Sequence, residues 1–365
     1  MRIRSRNIPG LFGLFRMIGA CLTCFLGNGI IQLNCNEVMI SGIKENKMGK
    51  IYAGVDLGGT TTKMGLFTAD GTLIRKWEIP TRSEDGGTHV TPDIAEAIKK
   101  HMAEEQLPME ELAGAGIGVP GPIMPDGYVE IIVNIGRIQD WNPVKELSEL
   151  LGGIPVKGSN DANVAALGEM WQGGGKGYKD VVAVTLGTGV GGGVILNGHI
   201  VPGSKGMGGE IGHMVMDWDW PREEGRCNCN NYGCLEQIAS ATGIARIARR
   251  FMRNQDMPSV LRDVENVTAK DVFDAAKAGD ALAESVAAYC MKYLARALAY
   301  IAQTIDPEVF VIGGGVSKAG TYLLDLLREQ FDPLITLIKE KPKLALATLG
   351  NDAGIYGAAK MVIED

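Results

Sequence analysis

The sequence has no excess of positive charge and no long uninterrupted apolar run. Of its 365 residues, 36 are Lys or Arg and 43 are Asp or Glu, giving a net charge of −7. Nucleic-acid binders present a basic face, so we expect no nucleic-acid partner. The apolar stretch 11–33 is broken by Arg16, Asn28 and several glycines. Because a membrane-spanning helix needs about 20 mostly apolar residues, we expect no membrane partner.

Cysteine is also scarce, whereas glycine is in excess. Three of the seven cysteines lie within residues 1–47, three lie between 227 and 234, and Cys290 stands alone. The 50 glycines are about twice the usual share of about 7%. They are not periodic, which excludes collagen, and they cluster after apolar runs. This placement predicts backbone turns that approach a ligand closely.

Residues 1–47 differ in composition from the rest of the chain. They contain no acidic residue before Glu37. Three interpretations are open: a poor membrane span, an export signal with an apolar region at 17–26, or sequence that is not translated. The body of the chain begins cleanly at Met48, and codons for Lys44 and Glu45 can contain a purine-rich ribosome-binding sequence. Both observations favour the third interpretation.

A strand, a Gly/Thr turn and a returning strand occur twice in the remainder. Residues 51–57 form an apolar run rich in strand formers, and 58–62 follow as a turn. Residues 180–186 and 187–189 repeat the pattern, and a third glycine cluster at 313–315 ends another apolar run. Such an internal repeat predicts two related lobes. Alternating strands and helices indicate α/β lobes, with a ligand in the cleft between them.

Further elements follow from hydrophobic periodicity. We predict helices at 92–106, 162–171 and 282–305 and strands at 113–119, 154–156 and 307–312. At about 150 residues per domain, the length also suggests two domains.

The Gly/Thr turns are candidate phosphate sites. Backbone N–H groups in such a turn remain open and can bind phosphate oxygens. A single copy is equally compatible with an ordinary hairpin, but three clusters make that interpretation weak. The glycine spacing matches neither the P-loop nor the dinucleotide-binding fingerprint. Asp56, just before the first turn, is either a Mg²⁺ partner, directly or through water, or a turn cap.

Asp161 is the candidate acid/base residue. It follows the predicted strand at 154–156 and precedes the predicted helix at 162–171, so it can also be a helix cap. Asn160 and Asn163 beside it provide amides suited to recognising hydroxyl groups. Phosphoryl transfer needs a group that positions the attacking hydroxyl and accepts its proton, and Asp can fill that role.

A metal site is predicted from the cysteine spacing. Cys227, Cys229 and Cys234 lie in a polar loop with His213 upstream, and three thiolates with one imidazole make a closed tetrahedral Zn²⁺ site. The site would be structural because no coordination position remains open. A disulfide is the alternative, but a reducing compartment keeps thiols free. Cys290, on a helix, is predicted to be core.

Two glutamates adjoin the predicted metal ligands. Glu210 precedes His213 by three residues, and Glu236 follows Cys234 by two. Carboxylates on a loop stiffened by metal suit the hydroxyl groups of a sugar. Each alone is weak support, because surface glutamates are usually only solvated.

From Met48 onward the chain resembles the ROK family (repressor, open reading frame, kinase), and within it the bacterial glucokinases. The segments that carry the resemblance are 56–63, 186–193, 209–213, 227–236 and 312–317. One departure is Asn230, where the family usually has Gly after the second Cys. Asn tolerates left-handed backbone, so we expect the turn to survive. A second departure is the acidic-aromatic insert Asp217-Trp218-Asp219-Trp220, which would cover the pocket or meet a neighbouring subunit.

The resemblance implies an α/β, two-lobed actin-like ATPase (ribonuclease H-like) fold with an inter-lobe cleft. After the extension 1–47, residues 48–165 would form the small N-terminal lobe. Residues 166–365 would form the large lobe with the zinc loop, the last helix being a candidate to return to the small lobe.

The resemblance also implies roles for individual residues. Asp161 would be the catalytic base. The hexose contacts would be Asn160, Asp161, Glu210, His213 and Glu236. The ATP contacts would be Asp56, Gly58, Gly59, Thr60, Thr61, Lys63, Gly187, Thr188, Gly189, Gly313, Gly314 and Gly315. The zinc ligands would be His213, Cys227, Cys229 and Cys234.

The implied reaction converts D-glucose and ATP into glucose 6-phosphate and ADP, with Mg²⁺ and a structural Zn²⁺. Alternatives are a kinase for fructose, mannose or an N-acetylhexosamine, a sugar-responsive repressor, and a non-catalytic sugar sensor. Residues 1–47 are too short and apolar for the helix-turn-helix that a repressor needs. The exact hexose, and ATP against polyphosphate as donor, stay open. ATP and free thiols predict the cytoplasm, and a homodimer or homotetramer is implied.

Overall fold

The computed structural model divides into two units, residues 1–48 and 49–365. It describes the backbone of 15–18, 21–26 and 29–34, and residues 49–132, 135 and 138–363. In the first unit, β1 (Phe15–Ile18), β2 (Cys21–Leu26) and β3 (Gly29–Asn34) form an antiparallel sheet. The three interpretations of residues 1–47 stay open. Among the described residues, no helix has the length and apolarity needed to cross a membrane.

The second unit begins with a five-stranded sheet. Its first elements are β4 (Ile51–Leu57), β5 (Thr61–Thr68), β6 (Leu73–Pro80), α1 (Val90–Glu104), β7 (Leu112–Val119), the hairpin strands β8 (Val129–Ile132) and β9 (Ile138–Trp141), α2 (Pro143–Leu150) and β10 (Val156–Asn160). The sheet order is β10-β7-β4-β5-β6. Strands β4, β5 and β6 are antiparallel neighbours, whereas β7 and β10 run parallel to β4.

A second five-stranded sheet follows. The remaining elements are α3 (Asp161–Gln172), β11 (Val181–Leu186), β12 (Val190–Leu196), β13 (His199–Ile200), α4 (Leu235–Ala239), α5 (Ala241–Asn254), α6 (Ala269–Lys277), α7 (Ala281–Ile305), β14 (Val309–Gly313), α8 (Thr321–Phe331), β15 (Lys343–Leu346) and α9 (Ala353–Val362). The order β13-β12-β11-β14-β15 reproduces the first sheet. Here too, three antiparallel strands are extended by two parallel ones. The predicted internal repeat is therefore confirmed in the topology.

Two helices lie between the sheets. From α3, Ala166 and Leu167 pack in one apolar cluster with Val181 of the second sheet. From α9, Ile355 and Ala359 pack in another cluster against the first sheet. Because helices cover both faces, the central strands β4 and β11 are buried almost throughout, as expected for strands without polar alternation. The predicted lobe boundary at 165/166 thus falls inside α3, and the last helix packs on the first sheet.

Some glycines serve helix packing and not ligand binding. A Cβ added to Gly116 of β7 would lie 1.8 Å from the carbonyl oxygen of Ala358 in α9. A Cβ on Gly357 of α9 would lie 1.7 Å from the carbonyl oxygen of Val164 in α3. These backbones approach too closely for any side chain. The excess of glycine was predicted to mark turns that approach a ligand. These helix-packing glycines show that the prediction does not account for all of that excess.

The predicted strand at 154–156 is wrong. Ladder pairing with β7 runs from Val156 to Asn160, and Pro155 contributes only its carbonyl, which accepts a hydrogen bond from Ala115 N. Strand β10 carries polar residues because it is the edge strand of its sheet, where polar side chains are tolerated.

Candidate active site

Asp161 is the first residue of α3, directly after the carboxyl end of β10. The cap of this helix is Asn160, whose Oδ1 accepts hydrogen bonds from Ala162 N (2.9 Å) and Asn163 N (3.4 Å). The alternative that Asp161 is the cap is therefore wrong. Burial raises the pKa of Asp161, the nearby charge of Glu210 raises it further, and a hydrogen bond from Ala162 N opposes both. A raised pKa makes Asp161 a better proton acceptor than an exposed aspartate.

Asp56 lies near Asp161, at the end of another strand of the same sheet. It lies next to the end of β4, opposite Lys63 of β5 in the ladder. Burial raises its pKa, the charge of Lys63 lowers it, and the charge of Asp161 raises it. The two carboxylates are thus close enough to interact electrostatically. A partly desolvated carboxylate beside a phosphate turn fits a Mg²⁺ ion, bound directly or through water.

The first Gly/Thr turn joins β4 to β5. Gly58 N donates to the carbonyl of Thr61 (3.2 Å), and a Cβ on Gly58 would lie 2.6 Å from that carbonyl oxygen. Thr81, the residue after β6, braces the turn, because its hydroxyl donates to the Gly58 carbonyl (2.8 Å). Gly59 and Thr60 are exposed at the tip, where their N–H groups can meet phosphate oxygens.

The second Gly/Thr turn joins β11 to β12 and is anchored to α5. Ala241 N donates to the Gly187 carbonyl (2.8 Å), and the Thr242 hydroxyl donates to the Thr188 carbonyl (2.7 Å). The turn also meets Glu236, since a Cβ on Gly189 would lie 2.0 Å from Glu236 Oε2. The predicted phosphate turn and the predicted sugar-binding glutamate are therefore in direct contact.

The third glycine cluster ends β14 beside two cavities. Gly314 has φ +82°, and a Cβ there would lie 2.5 Å from the carbonyl oxygen of Leu186, so the turn packs against the end of β11. A cavity of about 510 Å³ lies towards α3 and residues 347–353. A second of about 380 Å³ lies towards α6, lined by Phe273 among others. Both suit parts of a nucleotide by size.

The candidate metal ligands converge. One donor atom from each of His213, Cys227, Cys229 and Cys234 lies within 4.8 Å of the others. Cys229 and Cys234 sulfurs are 3.6 Å apart, and Cys227 Sγ is 3.4 Å from His213 Nδ1. Zn–S bonds of about 2.3 Å in a tetrahedron place sulfurs about 3.8 Å apart, so the donor set fits zinc. These cysteines are free thiols, which contradicts the disulfide alternative.

The metal cluster continues into the predicted sugar contacts. His213 points Nδ1 towards Cys227, and its Nε2 lies 3.9 Å from Glu210 Oε2. Glu236 Oε1 lies 3.8 Å from Cys227 Sγ, while its Oε2 accepts a hydrogen bond from Val190 N (3.2 Å). Glu236 thus contacts the loop that carries the thiols, and Glu210 lies beside the imidazole of His213. Together with the Asp161–Glu210 interaction, this brings the predicted sugar contacts into one connected group.

The family model for the ROK family matches residues 52–365. The chain belongs to the ROK family. A glucokinase of Halalkalibacterium halodurans is 45% identical over 318 residues, covering 85% of this chain and 94% of the relative. The ROK hexokinase from Thermus thermophilus is 32% identical with a TM-score of 0.71, covering 85% and 96%. A ROK glucokinase from Streptomyces griseus, in complex with glucose and AMPPNP, is 29% identical with a TM-score of 0.62, covering 85% and 98%.

Membership of the ROK family confirms the predicted two-lobed actin-like sugar-kinase fold. The departure at Asn230 is accommodated as predicted, because Asn230 adopts a left-handed φ of +68°. The insert divides into two parts. Trp220 is buried and its indole N–H donates to the Gly225 carbonyl (3.2 Å), whereas Trp218 is 87% exposed.

Sequence reasoning missed some of the residues that line this ROK site. Asn163, which we expect to meet hydroxyl groups, is buried, and its amide N–H₂ donates to the Gly208 carbonyl (3.4 Å), which braces the loop before Glu210. Lys270 and Phe273 of α6, with Lys318 after the third turn, line the cavity of about 380 Å³. Lys318 lies three residues beyond the glycine cluster and was detectable from that spacing. The α6 residues carry no motif.

Proposed function

We propose that this chain is a glucokinase that transfers the γ-phosphoryl group of ATP to the 6-hydroxyl of D-glucose. The observation that carries the proposal is the convergence of Asp161 with Asp56, Glu210 and the Gly/Thr turns at the ends of two equivalent sheets. The similar proteins of known name include glucokinases at 45% and 39% identity, each over most of its length.

In the proposed reaction, Asp161 accepts the proton of the sugar 6-hydroxyl. The hydroxyl oxygen forms a bond to the γ-phosphorus as the bond from that phosphorus to the β–γ bridging oxygen breaks, and ADP leaves. Such a transfer depends mainly on positioning and electrostatic stabilisation. The raised pKa of Asp161 suits it to take the proton at the moment of attack.

We assign the phosphates to the turns at Gly58–Thr61 and Gly187–Gly189, with Lys63 as a positive partner, and the adenosine side to the turn at 313–315. Asp56 would hold Mg²⁺, which neutralises phosphate charge when bound. Closing the two lobes over the substrates would exclude water, the competing acceptor.

We assign the sugar hydroxyls to Asn160, Glu210, His213 and Glu236. Zn²⁺ on His213 and the three thiols would be structural, because four protein donors complete its tetrahedron. Its contribution is to fix the loop from which Glu236 reaches both the sugar site and Val190 N.

We also propose that the chain is a homodimer or homotetramer, with the insert as one contact. The exposed Trp218 supports this assignment, because exposed aromatics are enriched at interfaces. Light scattering after size exclusion on wild type and Trp218→Ala is the test. If the variant has the same mass as the wild type, the insert is not part of the interface. A monomeric wild type would contradict the proposed oligomer.

The assignment of the reaction is tested by a coupled assay for ADP formation on the purified chain with Mg²⁺. The acceptors are glucose, mannose, fructose, N-acetylglucosamine and N-acetylmannosamine, and polyphosphate is tried as a second donor. We expect a kcat/KM for glucose at least tenfold above the others. A preference for another sugar would mean that this sugar, and not glucose, is the substrate. A folded, zinc-loaded protein without turnover would exclude a kinase function.

A further inference from the structure

The chain passes between the lobes of the second unit at two places. The first crossing is β10, α3 and the glycine run 173–175 that leads to β11. The second is the segment 347–352, which joins β15 of the second sheet to α9 on the first sheet. The crossings are in backbone contact, because a Cβ on Gly174 would lie 2.1 Å from the carbonyl oxygen of Leu346. Any relative motion of the lobes must be accommodated here.

One buried carboxylate binds both crossings. Glu169 of α3 is 4% exposed. Its Oε2 accepts hydrogen bonds from Gly174 N (2.8 Å) and Thr348 N (3.0 Å), and its Oε1 accepts one from Leu349 N (2.9 Å). Gly174 belongs to the first crossing, whereas Thr348 and Leu349 belong to the second. Within the part of the chain that the structure describes, no cation forms an ion pair with this carboxylate.

This arrangement is costly unless all its hydrogen bonds form. A buried charge without partners is strongly unfavourable, and hydrogen bonds to an ionised carboxylate are about twice as strong as neutral ones. Space is also reserved for the carboxylate, since a Cβ on Gly173 would lie 2.0 Å from Glu169 Oε2. The sequence therefore maintains a buried carboxylate whose three donors are main-chain N–H groups at a junction between the lobes.

The second crossing leads directly to the candidate phosphate site. Lys63 Nζ donates to the Asn351 carbonyl (3.4 Å), and Lys76 pairs with Asp352 (2.7 Å). At the start of α9, a Cβ on Gly354 would lie 2.5 Å from Asp56 Cγ. Few residues thus separate the N–H groups held by Glu169 from the segment that contacts Lys63 and Asp56. On the first crossing, Glu169 lies two helical turns from Asp161.

We propose that Glu169 is a positioning residue that fastens the two crossings together and so sets the phosphate turn at 187–189, on the second sheet, relative to Asp56 and Asp161, which both lie at strand ends of the first sheet. The proposal rests on the proposed kinase function. Glu169 borders the cavity of about 510 Å³, but both its carboxylate oxygens accept main-chain N–H groups, so it acts through the Thr348–Asp352 backbone. A displacement of about 1 Å of reacting groups can cost about 10²-fold in rate, so loosening this junction lowers turnover without removing any group of the active site.

The test is Glu169→Gln, which keeps the shape but places an amide N–H₂ opposite a backbone donor. We expect kcat per glucose-binding site, with sites counted by calorimetry, to fall at least tenfold. We also expect the calorimetric Kd of Mg·ATP to rise at least fivefold, while the Kd of glucose stays within threefold. A merely structural role would lower the number of binding sites and the Tm but not kcat per site.

The matched control is Glu308→Gln. Glu308 accepts hydrogen bonds from Lys179 N (2.7 Å) and Asp180 N (3.0 Å), so it has the same kind of donors, but in an exposed position and within one lobe. We expect its kcat per site and Mg·ATP affinity to stay at the wild-type level. If Glu169→Gln does not fold, Glu169→Asp, which keeps the charge and withdraws it by one methylene, takes its place with the same expectations.

Wild-type values of both kcat per site and Mg·ATP affinity in the folded Glu169 variant would overturn the proposal. The same loss in Glu308→Gln would also overturn it, because the effect would then not be specific to the crossings. Absence of glucose turnover in the wild type would instead reject the proposed function. The calorimetric Kd of Mg·ATP does not depend on the identity of the sugar. Its comparison between wild type and the Glu169 variant would still decide the role of Glu169.

Discussion

Asp161 and Asp56 are residues of the candidate site whose burial lowers the free energy of unfolding once they are ionised. Burial raises the pKa of both, so the folded chain binds their protons more tightly than the unfolded chain does. Stability therefore falls as pH rises from the unfolded value of about 3.9 through the raised folded value, and the loss is complete above it. Above their raised pKa values both carboxylates are ionised at a cost in stability.

Replacing Asp161 by Asn separates catalysis from binding. We expect kcat to fall by about 10²–10⁴-fold, the usual loss for a general base, while glucose still binds by calorimetry. We expect the Tm at pH 7 to rise or stay constant, because the desolvation penalty that raises the pKa of Asp161 is removed. Near-normal turnover would show that another group accepts the proton.

The pH dependence of the wild type gives a second check on Asp161. A base with a raised pKa loses activity on acidification at a higher pH than an ordinary aspartate, whose pKa is about 3.9. We expect the acid limb of kcat/KM for glucose to lie above that value. The measurement is a pH profile with circular dichroism at each point. A profile that stays flat down to pH 4 in a folded protein would contradict the assignment.

At the scale of elements, the sequence predicts strands, helices and turns from apolar runs and turn residues. It does not predict polar contacts between residues that are far apart in the chain. Strands β4, β7 and β11 and helix α7 agree with their predicted positions to within one residue, because buried parallel-sheet strands are continuous apolar runs. Strand β10 was misplaced because an edge strand can be polar.

The sequence predicts those parts of the site whose residues form local motifs. It does not predict residues that come together only because distant segments pack against each other. The Gly/Thr turns and the cysteine spacing are short motifs with their own chemistry. Phe273 and Lys270 reach their cavity only through the packing of α6. Glu169 looks like any helical glutamate, and only the second crossing, about 180 residues later, reveals its partners.

Removing one thiol tests the metal loop. We expect Cys229→Ala to lose bound zinc by elemental analysis and to lose most glucose binding, since Glu236 and His213 lie on or beside this loop. Cys290→Ala is the control, because Cys290 is buried in the helical core away from the cluster. Fully active wild type without zinc would refute a structural role for the metal.

The contact between the two central helices depends on the absence of a side chain. In Gly357→Ala the new methyl would lie 1.7 Å from a carbonyl oxygen of α3, so the helices must separate. Overpacking of this kind costs about 1–3 kcal/mol, and we expect a lower Tm and a lower denaturation midpoint. Gly49→Ala, where nothing lies within 4 Å, should be neutral. Equal stability of the two variants would argue against close helix packing.

At the scale of the whole molecule, residues 49–365 form a compact unit of their own. All proposed site residues, from Asp56 to Gly315, lie within it. We therefore expect a chain that begins at Met48 to keep kcat and KM within twofold of the full chain in the coupled assay. A shorter chain that is folded but inactive would assign residues 1–47 a part in the site.

The equivalence of the two sheets has an evolutionary consequence. Each sheet presents one Gly/Thr turn after its central strand. The second-to-last residue of that strand is Asp56 in β4 and Thr185 in β11. A single ancestral half, duplicated and fused, would have begun with identical residues in both places, as two copies do across a two-fold axis. Fusion freed the halves to diverge, so that one now carries a carboxylate and the other a neutral hydroxyl. The cleft is therefore chemically unsymmetrical although the two sheets that frame it are equivalent.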